Sequence, residues 1–110
     1  RWVHAIFFKQ VINTAQLKLF EQTVPFNAPP KPKDSRYGLG VYYSHLKPYG
    51  DVWWYSGVTN GYISLFLYLP KYKLIIAATT NRIVNADYYS LMPGNAFVNQ
   101  LLPLVMTKGT

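Results

Sequence analysis

Residues 62–80 read YISLFLYLPKYKLIIAATT. Two apolar runs, YISLFLYL (62–69) and KLIIAATT (73–80), flank the turn PKY. In the first, Ile63, Leu65, Leu67 and Leu69 alternate with Ser64, Phe66 and Tyr68. In the second, Leu74, Ile76 and Ala78 alternate with Ile75 and Ala77. Successive side chains of a strand point to opposite faces, so neither strand presents a polar face. A turn this short joins antiparallel strands. Strands that are apolar on both sides are covered on both sides. The stretch therefore predicts an α+β fold, an antiparallel β-sheet flanked by helices on both faces.

Working outward, YGLGVYY (37–43) and VWWYS (52–56) read as two more strands, joined through the turn KPYGD (47–51). The expectation is a sheet of three or four strands, with helices from both ends of the chain packed on it. At the start, Val3, Phe7 and Val11 recur at i, i+4 and i+8, with Ile6 beside them, which predicts a helix over 2–12. Asn13 can cap a second helix, with Gln16 three residues on as its capping-box partner. Leu17, Phe20 and Val24 form the apolar face of that helix, and Pro25 ends it. Residues 25–36, PFNAPPKPKDSR, hold four prolines and read as a connecting loop. At the far end, NAFVNQLLPLVM (95–106) places Phe97, Leu101 and Val105 on one face, with Val98 and Leu102 adjacent. Asn95 can cap this helix, and Pro103 is expected to kink or end it.

Composition narrows the class of protein. With 110 residues, half of them hydrophobic and 14% charged, the chain suits one domain with a modest core. No apolar run approaches the length of a membrane-spanning helix. Cysteine is absent, which excludes disulfides and thiolate metal sites. His4 and His45 are far apart and acids are few, so no metal centre and no cofactor are expected. The formal net charge is +7, with one cluster at Lys31, Lys33 and Arg36. A basic surface can attract nucleic acid or anionic envelope polymers. There is no basic helix and no nucleic-acid motif, so no nucleic-acid partner is expected. The opening RWVHAIFFKQV begins as though already inside a helix and carries no signal-peptide pattern, which reads as a segment of something longer.

The stretch WWYSGVTNGY (53–62) carries the chemical question. Ser56 places a small hydroxyl near a strand end. Gly57 lets another backbone or a ligand lie close to the strand. The amide of Val58 is then placed to donate to a developing oxyanion. Gly61 permits a tight connection into the next strand. The same residues also read as an ordinary hairpin turn, SGVTNG. A serine nucleophile with a lysine base would need both on one helical turn. The one S-x-x-K in the chain, Ser44-His45-Leu46-Lys47, sits at a strand end with Lys47 before Pro48, where helix is disfavoured. Ser44 is therefore read as a hairpin residue and not as a nucleophile.

The order YGLGVYY, YSGVTNGY, ISLFLYLPKYKLIIAATTN resembles the C-terminal part of the serine β-lactamase and D-alanyl-D-alanine carboxypeptidase family, the penicillin-binding, class C-type serine hydrolases. That family has a Y-G-x-G strand, a [KH]-[ST]-G strand, a G-x-x-G-[YF] turn, a strand ending in Pro and an apolar strand closing in T-N. The matching elements here are Tyr37–Gly40, Tyr55–Gly57, Gly57–Tyr62, Pro70 and Thr80-Asn81, and RWVHAIF resembles the helix after the family's second motif.

The resemblance implies a partial β-lactamase-like αβα sandwich, with residues 1–110 as its C-terminal segment. It implies acyl-enzyme chemistry with the nucleophile on an N-terminal part not in this chain, so that no residue of 1–110 is catalytic. Tyr55, Ser56, Gly57 and Thr59 would bind substrate, and the Val58 amide would line the oxyanion hole. The implied partners are the N-terminal remainder of the domain and a peptidoglycan-like peptide, β-lactam or ester. A homo-oligomer of the segment through an exposed sheet edge is a further expectation. The implied location is the periplasm or cell envelope. Tyr55 stands where the family has Lys or His, and no Y-x-N or S-x-N occurs. The alternatives are a non-catalytic binding or structural domain of the same fold with a decayed motif, or an unrelated small interaction domain.

Overall fold

The computed structural model describes residues 1–26, 35–81 and 96–108. Two short helices, α1 (Trp2–Phe7) and α2 (Thr14–Phe20), precede six strands. These are β1 (Val24–Pro25), β2 (Arg36–Tyr37), β3 (Tyr42–Leu46), β4 (Gly50–Thr59), β5 (Tyr62–Leu69) and β6 (Leu74–Thr80). A longer helix, α3 (Ala96–Lys108), follows. The strands form one antiparallel meander in chain order, β1 to β6. The fold is thus α+β, with an open antiparallel sheet.

The alternation in 62–80 does what its pattern dictates. Leu65 lies opposite Ala78 and Leu67 opposite Ile76, while Phe66 faces Ala77 and Tyr68 faces Ile75. Ile63, Leu65, Leu67 and Leu69 join Val52, Trp54 and Leu102 of α3 in one buried cluster. Tyr68 joins Phe7 and Val41 in a second, against which Val3, Leu17, Phe20, Trp53 and Phe66 pack. Helical residues therefore cover each face of the sheet, α3 on one and α1 with α2 on the other. Trp53 and Trp54, adjacent in sequence, anchor opposite layers. Each fully buried aliphatic side chain contributes about 1.5–3 kcal/mol, so β5 is the strand on which both layers depend.

The capping box forms as its residues predict. The Asn13 amide donates to Gln16 Oε1, and the Gln16 amide donates to Asn13 Oδ1, each at 2.9 Å. Other boundaries differ from the sequence reading. The first helix stops at Phe7, not at residue 12, because Lys9 takes a left-handed conformation at φ 57° and closes the turn. Val11 is left exposed. The second helix ends at Phe20, and Val24 and Pro25 form an exposed edge strand instead of extending it. Of the expected 25–36 loop, Pro25 and Arg36 pair across β1 and β2, and residues 27–34 lie outside the described residues.

The run 37–43 is not one strand but a hairpin. The Gly38 amide donates to the Val41 carbonyl at 2.8 Å, and Gly40 turns the chain at φ 77°. A Cβ on Gly38 would stand 2.7 Å from the Phe20 carbonyl oxygen, so the approach of α2 requires glycine there. The sheet consequently has six strands and not three or four. Pro103 does not end α3, which runs on to Lys108. Leu102 beside it is fully buried, and this packing offsets the hydrogen bond that proline cannot donate. Asn95 lies outside the described residues, as do the side chains of Phe97 and Val98. Among the described residues, no helix is long and apolar enough to cross a membrane.

Candidate functional site

Strand β4 changes character at its midpoint. Its first half pairs with β3 from Gly50 to Trp54, ending at Tyr42 opposite Trp54, and Trp53 and Trp54 pair with β5 as well. Beyond that point β4 continues to Thr59, paired only with β5 among the described residues. The expected site residues, Tyr55 to Thr59, all fall in this second half. The strand alone brings them together, as five consecutive residues along an open edge.

The direction of the backbone groups follows from one hydrogen bond. The Thr79 hydroxyl donates to the Ile63 carbonyl at 3.1 Å, so that carbonyl points toward β6. In an antiparallel strand the N–H and C=O of one residue point to the same side. Val58, opposite Ile63, therefore belongs to a pair that exchanges no ladder bonds. Its N–H and C=O point away from β5, toward the open edge. Two residues earlier, Ser56 does the same. Tyr55, Gly57 and Thr59 direct their backbone groups to β5. The open edge thus presents the amides of Ser56 and Val58 beside a residue with no side chain.

Gly57 is not demanded by the fold. Its backbone is not left-handed, and an added Cβ would meet only the Ser64 hydroxyl, at 3.6 Å, an ordinary contact. Gly61, at φ 82°, is different, since the turn between β4 and β5 requires its conformation. A glycine that neither turn nor packing needs keeps the space over the strand clear, as a ligand-facing position would. Ser56 is half-buried and Thr59 exposed.

Tyr55 is 39% exposed and ends a run of aromatic rings. Its ring lies 5.5 Å from that of Tyr42 and nearly parallel, at 18°. Tyr42 in turn stacks on buried Trp54 at 4.7 Å and meets Tyr37 at 4.6 Å. Burial pushes the Tyr42 phenol above its ordinary range, and the neighbouring Tyr55 and Tyr37 reinforce the shift. Sequence reasoning did not place Tyr37 and Tyr42 beside Tyr55. The tyrosine density of YGLGVYY is the available signal, but the run reads as a single strand, which hides the hairpin that folds Tyr37 onto Tyr42.

Ser44 is fully buried. Its hydroxyl oxygen accepts from Trp54 Nε1 at 2.9 Å and lies 2.8 Å from the Ser35 hydroxyl. Lys47 is in the exposed turn after β3. The S-x-x-K match is therefore a packing element under the sheet, with no path for a substrate to the serine. Next to it, exposed His45 and half-buried Tyr43 converge on Asp51. His45 Nδ1 donates to Asp51 Oδ1 at 2.9 Å, and the Tyr43 hydroxyl donates to the same oxygen at 2.7 Å. The two donors hold the Asp51 carboxyl below the usual carboxylate range. The bond to Asp51 is the main cause of a Tyr43 pKa pushed up to about 12.

A wider groove, about 860 Å³, lies elsewhere, between α1 and β6, with Trp2, His4, Ala5, Ile75 and Ala77 among its walls. It shares no residue with the β4 edge, and its mouth is largely open. The backbone donors and the unforced glycine make the β4 edge the better candidate. Comparison of the chain with family models, with curated proteins and with solved structures found no match.

Proposed function

We propose that this chain is the C-terminal portion of a penicillin-recognising serine hydrolase of D-alanyl-D-alanine carboxypeptidase, β-lactamase or esterase type, acting through an acyl-enzyme. In this reading the fold completes as a β-lactamase-like αβα sandwich. The nucleophile and its base come from an N-terminal remainder, and 1–110 supplies the substrate-binding strand. Tyr55, Ser56, Gly57 and Thr59 line the substrate, and the Val58 amide donates to the oxyanion. The observation that carries the reading is the open β4 edge. It sets an outward amide immediately after a glycine that the fold does not need, at the position expected from the motif order. Preorganised amides of this kind stabilise developing negative charge. Export to the cell envelope, and substrates of the peptidoglycan-peptide, β-lactam or ester class, belong to the same proposal.

One observation favours a second reading, in which the site is a non-catalytic binding surface. Tyr55 stands where the family has a cation, and a phenol offers a substrate carboxylate one hydrogen bond and no positive charge. Fluorescent penicillin and an activated ester, incubated with the full-length protein, separate the two. A covalent adduct on a serine of an upstream S-x-x-K supports the hydrolase. No adduct with either reagent supports the binder.

A further inference from the structure

If the β4 edge is the substrate-binding strand, on which this inference rests, the geometry points to Tyr55 as its specificity-determining residue and to a neutral, ring-bearing ligand in place of a carboxylate-bearing one. The aromatic run is graded. Trp54 is fully buried, Tyr42 half-buried and Tyr55 39% exposed. The Tyr55 and Tyr42 rings are stacked within 18° of parallel, so Tyr55 is the outermost plate of a stack supported from below. A supported ring is held in one orientation and loses little freedom when a further ring settles on or against it. Aromatic faces carry negative potential. A planar neutral ring is accepted there, and a carboxylate over the same face is repelled.

Chemistry at the edge acts in the same direction. A lysine or histidine in place of Tyr55 would offer a carboxylate a cation, whereas Tyr55 offers one phenolic hydrogen bond. Arg36 in β2 donates from Nε to the Thr23 hydroxyl and from Nη2 to the Thr23 carbonyl, each at 2.8 Å, which directs these donors to the residue before β1. The Ser56 and Val58 amides remain for the carbonyl of an amide or ester. A ligand of matching chemistry carries an aromatic ring and a neutral carbonyl group, as in an arylacetyl amide or ester.

Phenylacetamide and phenylacetate share ring and carbonyl and differ in charge, which makes them the test pair. Binding to the 110-residue chain is followed through the backbone amide resonances of Tyr55 to Thr59. About 0.15 M salt screens the net positive charge beyond roughly 8 Å. Phenylacetamide is expected to shift these resonances with at least fivefold higher affinity than phenylacetate. Tyr55→Phe should keep that order, and Tyr55→Lys should reverse it. Tighter binding of phenylacetate to the wild type would overturn the proposal. So would an unchanged ratio in a folded Tyr55→Lys variant, or no shift with either compound. Acylation of the full-length protein by an uncharged activated ester is a separate readout, so failure of the hydrolase reading and failure of this one are distinguishable.

Discussion

The two halves of β4 belong to one continuous strand yet face opposite fates. From Gly50 to Trp54 the strand pairs with β3, at Trp53 and Trp54 with β5 as well, and its side chains Val52 and Trp54 are fully buried. From Tyr55 to Thr59 it has β5 on one side, and Tyr55, Val58 and Thr59 are exposed. The first half is fixed by packing, so its residues are replaceable only at a cost in stability. The second half has few packing obligations, so its residue types need another explanation. The contrast separates what the sheet requires from what a ligand would require, and mutation at matched positions can break it.

The largest effect is expected at Trp54. Trp54→Ala should cost about 3–5 kcal/mol, the range for deleting a large buried aromatic side chain. It also leaves the Ser44 hydroxyl without its indole donor. Ser44→Val should cost about 1–3 kcal/mol, because the buried Trp54 N–H loses its acceptor. Chemical denaturation of both variants measures this. A Ser44→Val protein as stable as wild type would mean that the indole finds another acceptor.

Glycines give a matched pair. Gly38→Ala would bring a Cβ within 2.7 Å of a backbone oxygen of α2, and overpacking of this kind costs about 1–3 kcal/mol. Gly57→Ala should change stability by less than about 0.5 kcal/mol, as substitutions free of such conflicts do. Gly57→Val should likewise leave melting nearly unchanged, yet sharply reduce acylation of the full-length protein by an uncharged activated ester. Ser56→Ala should slow acylation less severely, with an unaltered melting temperature. If Gly57→Val acylates at the wild-type rate, the β4 edge is not the substrate strand. If acylation falls only in step with melting temperature, the position matters through the fold.

Much of the enclosed region was legible because its signals are redundant. Alternation in 62–69 and 73–80, the turn PKY and the two tryptophans all specify one arrangement, and Asn13 with Gln16 specifies a cap by local bonding. The errors arise where a tertiary contact overrides a local pattern. Gly38 and Gly40 read as strand glycines until the approach of α2 to Gly38 shows why the chain folds back there. Pro103 reads as a stop until the burial of Leu102 is seen. The site residues were legible as a motif, but their openness was not. That property depends on where β3 ends, which no residue of 55–59 encodes. The Tyr37–Tyr42–Tyr55 contacts depend on the same hairpin and were missed for the same reason.

The smallest expected effect concerns the surface of the enclosed half, where Asp51 on β4 gathers His45 and Tyr43 from β3. The Asp51 carboxyl is held low in the folded protein, so its contribution to stability is present above the unfolded carboxylate pKa, about 3.9. That contribution is lost as pH falls through this region and below it. Tyr43 has the opposite sign. Its pKa rises in the folded state from the ordinary phenol value to about 12. The stability it contributes is therefore complete below about pH 10 and is lost as pH rises from there toward 12. Both shifts draw on one oxygen, Asp51 Oδ1, and both side chains are solvent-accessible. Solvent screening keeps the effect on melting small, so the sensitive observable is the titration itself. The ring-carbon resonance of Tyr43 should titrate near 12 in the wild type and lower in Asp51→Asn, where burial is the remaining cause that raises it. The same substitution should remove the part of the acid-side decline in melting temperature that Asp51 causes. A wild-type Tyr43 that titrates near 10 would show that the Asp51 bond does not persist in solution. The β3–β4 pairing beneath it, fixed by Val52 and Trp54, would stand regardless.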